Sequence, residues 1–198
     1  RKLDRAKFQP VLACPDDETW RHLAPGDVQV LDLTLPAAFR RLSRSSAGWA
    51  AGLGGTIAAL GSVWRIRRLV AEQRIELVHA NNLKMLLLAA MATFGRSIPV
   101  LWHVRDILPA RPLTRWTLTL GARLATRVIA VSRAVARQFS STTEIVYNAV
   151  ELPDLTGAEI ERRRFRAQHG IPGDAFVFGY VGRLDAGKGI DLLLRAFA

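Results

Sequence analysis

The sequence predicts an α/β protein: a doubly wound parallel sheet followed by the start of a second domain of the same kind. Three observations predict it. Short apolar runs alternate with stretches of helical periodicity along the chain. The runs are almost continuously apolar, as strands buried on both faces of a parallel sheet are. The sheet pattern then stops near Asn148, a polar, proline-bearing stretch follows, and a new strand pattern begins at Phe176.

The expected strands, in order, are Pro10–Ala13, Val28–Leu33, Leu77–Ala80, Val100–Val104, Val128–Val131, Ile145–Tyr147 and Phe176–Val181. Helical patterns lie near 56–74, 83–94, 112–125, 133–139 and 159–169. The first helix follows an uncharged window, Ser45 to Trp64, long enough to span a bilayer but carrying five glycines. A loop leading into an amphipathic helix explains it better, with Ile57, Leu60, Val63 and Trp64 on one face and arginines from 65 onward reaching water. Ser132 is placed to cap the helix after its strand. The basic helix over Arg162 to His169 is closed by Gly170, with Pro172 beyond it, a regular stop signal.

Composition bounds the function. The 198 residues are 49% hydrophobic and 23% charged, ordinary for a globular protein. A single cysteine, Cys14, allows no disulfide within the chain and fits a reducing compartment. Net charge is +11, carried almost wholly by arginine, which favours anionic partners and suits bidentate phosphate contacts. The arginines cluster at Arg40, Arg41 and Arg44, at Arg65, Arg67 and Arg68, and at Arg162 to Arg164 with Arg166. No helix-turn-helix, zinc finger or stacking-aromatic motif accompanies them, so no nucleic-acid partner is expected. The four histidines show no metal-ligand spacing, and neither an Asp-x-Asp pair nor a G-x-S-x-G elbow occurs, so no metal or cofactor is expected. The chain opens without Met and closes inside a helical pattern, and is expected to be a piece of a longer protein.

Open parallel sheets bind ligands at the carboxyl ends of their strands. Those ends carry His79, Asn81 and Asn82; His103, Arg105 and Asp106; Ser132; and Asn148. Each has a plain alternative role. For His103 it is a backbone hydrogen bond, for Arg105 and Asp106 a mutual ion pair, for His79 a structural role, and for Asn148 unusual backbone geometry. The closing segment is more pointed. Gly182, Arg183, Lys188 and the helical pattern from Ile190 make a glycine turn with two cations at a helix start, suited to a phosphate or diphosphate. Gly182 to Lys188 also spells G-x-x-x-x-G-K, but Gly189 stands where a P-loop needs a magnesium-binding hydroxyl.

The run Val181-Gly-Arg-Leu-Asp-Ala-Gly-Lys-Gly-Ile-Asp-Leu-Leu-Leu-Arg-Ala-Phe197 resembles the opening of the C-terminal domain in retaining glycosyltransferases of family 4, which have the GT-B fold. Four upstream segments resemble the same family in order: Val78-His79-Ala80-Asn81, Trp102-His103-Val104-Arg105-Asp106, Val131-Ser132-Arg133-Ala134 and Val146-Tyr147-Asn148-Ala149-Val150-Glu151.

The resemblance implies two Rossmann-like domains. Residues 1–155 would form the acceptor-side domain, lacking its first strand, and 156–198 a linker helix with the beginning of the donor-binding domain. It implies Gly182, Arg183 and Lys188 on the donor diphosphate, His103 and Asp106 in catalysis, and Asn81, Arg105, Ser132 and Asn148 lining the cleft. Ala149 stands where the family has glycine, which questions any need for positive φ there. The implied partners are a nucleotide-sugar donor and a glycan or lipid-linked acceptor. A cytoplasmic location follows, with a possible anionic membrane surface. A non-catalytic anion-binding remnant of such an enzyme is the alternative.

Overall fold

The computed structural model describes residues 3–15, 22–36, 53–108, 111–140, 143–150, 152–182, 184 and 186–197. They fall into two compact units, 1–149 and 150–198.

The first unit is α/β with every strand pairing parallel. Strand β1 (Val11–Cys14) pairs with β2 (Gln29–Asp32). A second sheet has the order β3 (Val78–Ala80), β4 (Val100–Val104), β5 (Arg127–Ala130), β6 (Glu144–Ile145). Helices α1 (Leu53–Glu72), α2 (Leu83–Thr93), α3 (Pro112–Leu124) and α4 (Arg133–Ala136) make the crossovers. The fold is therefore the Rossmann-like parallel architecture that the alternation of apolar runs predicts. β4 coincides with its expected span, because Val100, Trp102, His103 and Val104 are all buried, as a central strand covered on both faces must be.

Helix α2 explains how two apolar clusters share one unit. It is apolar nearly all round, so opposite faces can both be buried. Leu86 and Ala89 join Val100, Trp102, Val104, Leu118 and Val128, while Leu88 and Ala92 join Leu33, Ile66 and Val70. On the first side α3 comes very close to the sheet. A Cβ on Gly121 would stand 2.7 Å from Trp102 Cζ3, a separation that glycine alone allows.

The expected face of α1 is corrected in part: Val63 packs against the second cluster, but Leu60 and Trp64 do not. Leu60 and Trp64 are 59% and 63% exposed, whereas Ser62, Ile66 and Val70 are buried one turn apart. Ile57 lies outside the described side chains. The arginines decide the rotation, since they bind protein. Arg65 donates to Asp32, Arg67 Nη1 donates to the main-chain oxygens of Ala92 and Phe94 at the end of α2, and Arg68 pairs with Glu72. No helix among the described residues is long and apolar enough to cross a membrane. The helix stops at Arg74, whose φ of 50° puts a non-glycine residue in the left-handed cap, while Ile75 N–H returns to Val70 O.

The second unit holds α5 (Ala158–Gln168), a 3₁₀ turn (Ala186–Lys188) and α6 (Ile190–Phe197). α5 carries Glu159 and Glu161 in its first turn, and Glu159 pairs with Arg162 and Arg163. It ends as expected on Gly170 at φ 63°, with Ile171 N–H bonded to Arg166 O. Arg166 gathers the main-chain oxygens of Pro172, Gly173 and Ala175. The strand expected over Phe176–Val181 is not formed. A strand needs a neighbour for its backbone groups, and none lies beside it among the described residues of this unit. Phe178 instead packs its ring on Phe197 of α6, centroids 4.6 Å apart.

Candidate functional site at the carboxyl rim of the sheet

Because β3 to β6 run parallel and in order, their carboxyl ends share one rim. His79 and His103 lie within β3 and β4 near these ends, and Asn81, Arg105, Asp106, Ser132 and Asn148 come after them. Their roles differ.

His79 and His103 meet. His79 Nε2 lies 3.2 Å from His103 Nδ1, and the rings stack with an interplanar angle of 19°. Neighbouring strands put them there: His79 is in register with Leu101, two residues before His103. His103 is 8% exposed, and its Nε2 finds no hydrogen-bond partner among the described residues. Burial, then the nearby Arg105 cation and His79, hold the His103 pKa below the ordinary value of 6.5. Burial and Arg105 lower His79 as well. Both rings are thus neutral near pH 7, and a single proton lies between them.

Asp106 is half-buried in the loop after β4, and this loop is held by a residue that carries no motif. Gln138, just past α4, donates from Nε2 to the main-chain oxygens of Asp106 (3.0 Å) and Val135 (3.2 Å). Its Oε1 accepts from Leu108 N–H at 2.7 Å. No spacing rule exposes such a contact in the sequence. Lys84 is also new, a half-buried lysine in the first turn of α2 whose pKa is lowered by burial.

Three asparagines and a serine divide between capping and surface. Asn82 is the N-cap of α2, its Oδ1 accepting from Met85 N–H at 2.9 Å, and Asn81 stands exposed beside it. Ser132 is the N-cap of α4, its Oγ accepting from Val135 N–H at 3.2 Å, so the capping role is the one seen. Asn148 is exposed beyond β6. Ala149 keeps ordinary backbone, since Arg74 is the sole non-glycine residue with positive φ among the described ones.

In the second unit Gly182 is exposed, and Lys188 is exposed at the end of the 3₁₀ turn. Gly189 follows with φ 68° and accepts from Leu193 N–H, opening α6. Arg183, like the cluster Arg40, Arg41 and Arg44, lies outside the described residues. Among the described residues no group of three His, Cys, Asp or Glu side chains is placed to hold a metal ion.

A parallel sheet with helical crossovers and polar side chains along its carboxyl rim defines a Rossmann-like α/β protein. Residues 1–144 match the glycosyl transferase 4-like domain, and the chain belongs to that family. No curated protein matches it significantly. Solved structures of Anabaena Alr3699/HepE share the fold. They are the complexes with UDP and glucose (25% identical, TM-score 0.63), with UDP-glucose (23%, 0.63) and with UDP (22%, 0.62). Each likeness covers 94% of this chain and 49% of the other, so the chain spans about half the length of the structures it matches.

Proposed function

We propose that this chain is part of an enzyme that transfers a sugar from a nucleotide-sugar donor to a glycan or lipid-linked glycan, with retention of configuration. The observation that carries this is the membership of residues 1–144 in the glycosyl transferase 4-like family, joined to a rim that presents a buried histidine with an unfilled ring nitrogen. The complex of Anabaena Alr3699/HepE with UDP and glucose supports a UDP-linked hexose as the donor.

The proposed division of labour follows from where charge develops. The leaving diphosphate gains negative charge in the transition state, so Arg183, Lys188 and the Gly182 turn would stabilise it in the donor-binding part, residues 156–198. Fixed cations there serve in place of a metal ion, so transfer is proposed to survive chelation by EDTA. On the acceptor-side part, residues 1–155, His103 would hold a sugar hydroxyl and Asp106 would orient the reacting region. Asn81, Arg105, Ser132 and Asn148 would line the cleft. A cytoplasmic location at an anionic membrane surface is supported by the net charge of +11 and by the exposed Leu60 and Trp64 on α1.

The test is sugar transfer by the full-length protein with UDP-hexose donors. Arg183→Ala and Lys188→Ala should each lower kcat/KM by about 100-fold, the scale of losing one charge-stabilising group. A near-normal rate in both variants overturns the diphosphate assignment.

A further inference from the structure

The contact between His79 and His103 has a direction, because its two ends are different nitrogens. It joins Nε2 of one ring to Nδ1 of the other, 3.2 Å apart. If His79 donates, it carries its proton on Nε2. His103 must then keep the Nδ1 lone pair, and its own proton sits on Nε2. If His103 donates instead, its proton is on Nδ1. His79 must then accept at Nε2 and carry its proton on Nδ1. The two arrangements therefore place both rings in the Nε2–H form or both in the Nδ1–H form.

Neutral histidine in water favours the Nε2–H form, so the first arrangement satisfies both rings and the second opposes both. Solvent does not reverse this. His79 is exposed, so water can serve its outer nitrogen in either form. His103 is 8% exposed, and its outer nitrogen has no partner among the described residues in either form. A buried polar atom left without a partner costs about 1–3 kcal/mol whether it donates or accepts, so this penalty does not choose between them. The intrinsic preference does.

We propose that His79 is a positioning residue that fixes His103 as its Nε2–H tautomer, so that the buried ring offers a hydrogen-bond donor to the oxygen that reaches it. A neutral donor suits a sugar hydroxyl or ring oxygen and rejects a group that can only donate. Burial and the Arg105 cation support the assignment by keeping both rings uncharged, since a doubly protonated His103 would lose the acceptor at Nδ1. Asp106 lies in the loop that follows His103's strand, and Arg105 and Asp106 are the charged groups of that segment. The inference deepens the sugar-transfer reading and rests on it only for the identity of the oxygen.

Long-range proton–nitrogen correlation on the histidine-labelled chain at neutral pH reads the tautomer directly, with the His103 signals assigned by their loss in His103→Gln. His103 should show a protonated Nε2 and an unprotonated Nδ1. His79→Leu should weaken this preference to the intrinsic bias of a single ring, so that a minor Nδ1–H population of His103 appears. His79→Gln, whose amide can donate from near the position of Nε2, should restore it. A general structural role of His79 would not distinguish the two variants. A His103 protonated on Nδ1 in the unaltered chain overturns the proposal, as does an unchanged His103 spectrum in a folded His79→Leu chain. Should the leucine variant fail to fold, the unaltered chain and His79→Gln still decide it. These spectra need no donor or acceptor, so failure of the transfer assay and failure of the tautomer assignment are separate results.

Discussion

Gly121 of α3 lies against the indole of Trp102 of β4, so close that an added Cβ would stand 2.7 Å from Cζ3 and 3.0 Å from Cη2. Trp102 is 1% exposed and is met edge-on by Phe139, so the ring has nowhere to retreat.

Gly121→Ala is therefore expected to destabilise the fold. Alanine improves helix propensity by about 1 kcal/mol, but overpacking a rigid core costs about 1–3 kcal/mol. The immobile ring makes the second effect win. A lowered urea midpoint with an unchanged slope is the expected result, and a midpoint at or above that of the unaltered chain contradicts it.

Arg74 gives the opposite case. Its φ of 50° costs a side-chain-bearing residue about 1–2 kcal/mol, more than the roughly 0.4–1 kcal/mol that glycine adds to unfolded-chain entropy. Arg74→Gly should leave stability unchanged or raise it by up to about 1 kcal/mol, whereas Arg74→Val should lower it. Thermal melts of the two variants check the order.

The histidine pair makes stability depend on pH. Folding lowers both pKa values below the ordinary 6.5. Just under 6.5 the unfolded chain therefore binds more protons than the folded one, and stability rises with pH there. It is complete above 6.5 and declines as pH falls through the lowered folded values. Melting temperature should drop between about pH 7 and about pH 5, and less steeply in a His79→Gln, His103→Gln double variant. Equal slopes for the two proteins would exclude the pair as the source.

Gln138→Leu should loosen the loop after β4 without dismantling the core. It removes three hydrogen bonds to main-chain groups, a loss of about 1–3 kcal/mol where the freed groups stay partly buried. Faster amide exchange at Leu108 is the expected signature, with the exchange of Trp102 little changed.

The sheet was readable in the sequence because its strands are short apolar runs; Val100 to Val104, buried on both sides, is the clearest. The last run, Phe176 to Val181, has the same composition but no neighbouring strand among the described residues of its unit, and composition does not reveal a neighbour. Around α1 the apolar pattern put Leu60, Val63 and Trp64 on one face, yet of these only Val63 packs on the core. Arg65 and Arg67 instead bind Asp32 and the end of α2, and these long-range bonds turn Ile66 and Val70 to the core. The rim was legible as a set of strand ends. The contact between His79 and His103 was not, because it depends on strand register. Nor was Gln138, whose partners are main-chain atoms with no residue signature.

That last property has an evolutionary consequence. Gln138 grips the main-chain oxygen of Asp106 and the amide of Leu108, and both of these contacts are to main-chain atoms. The loop can therefore exchange the residues it shows to a ligand while its path stays anchored. Scaffold and surface are inherited separately at this point, so the exposed Arg105 and Ile107 can be replaced with little penalty to folding, while Leu108 stays packed on the core.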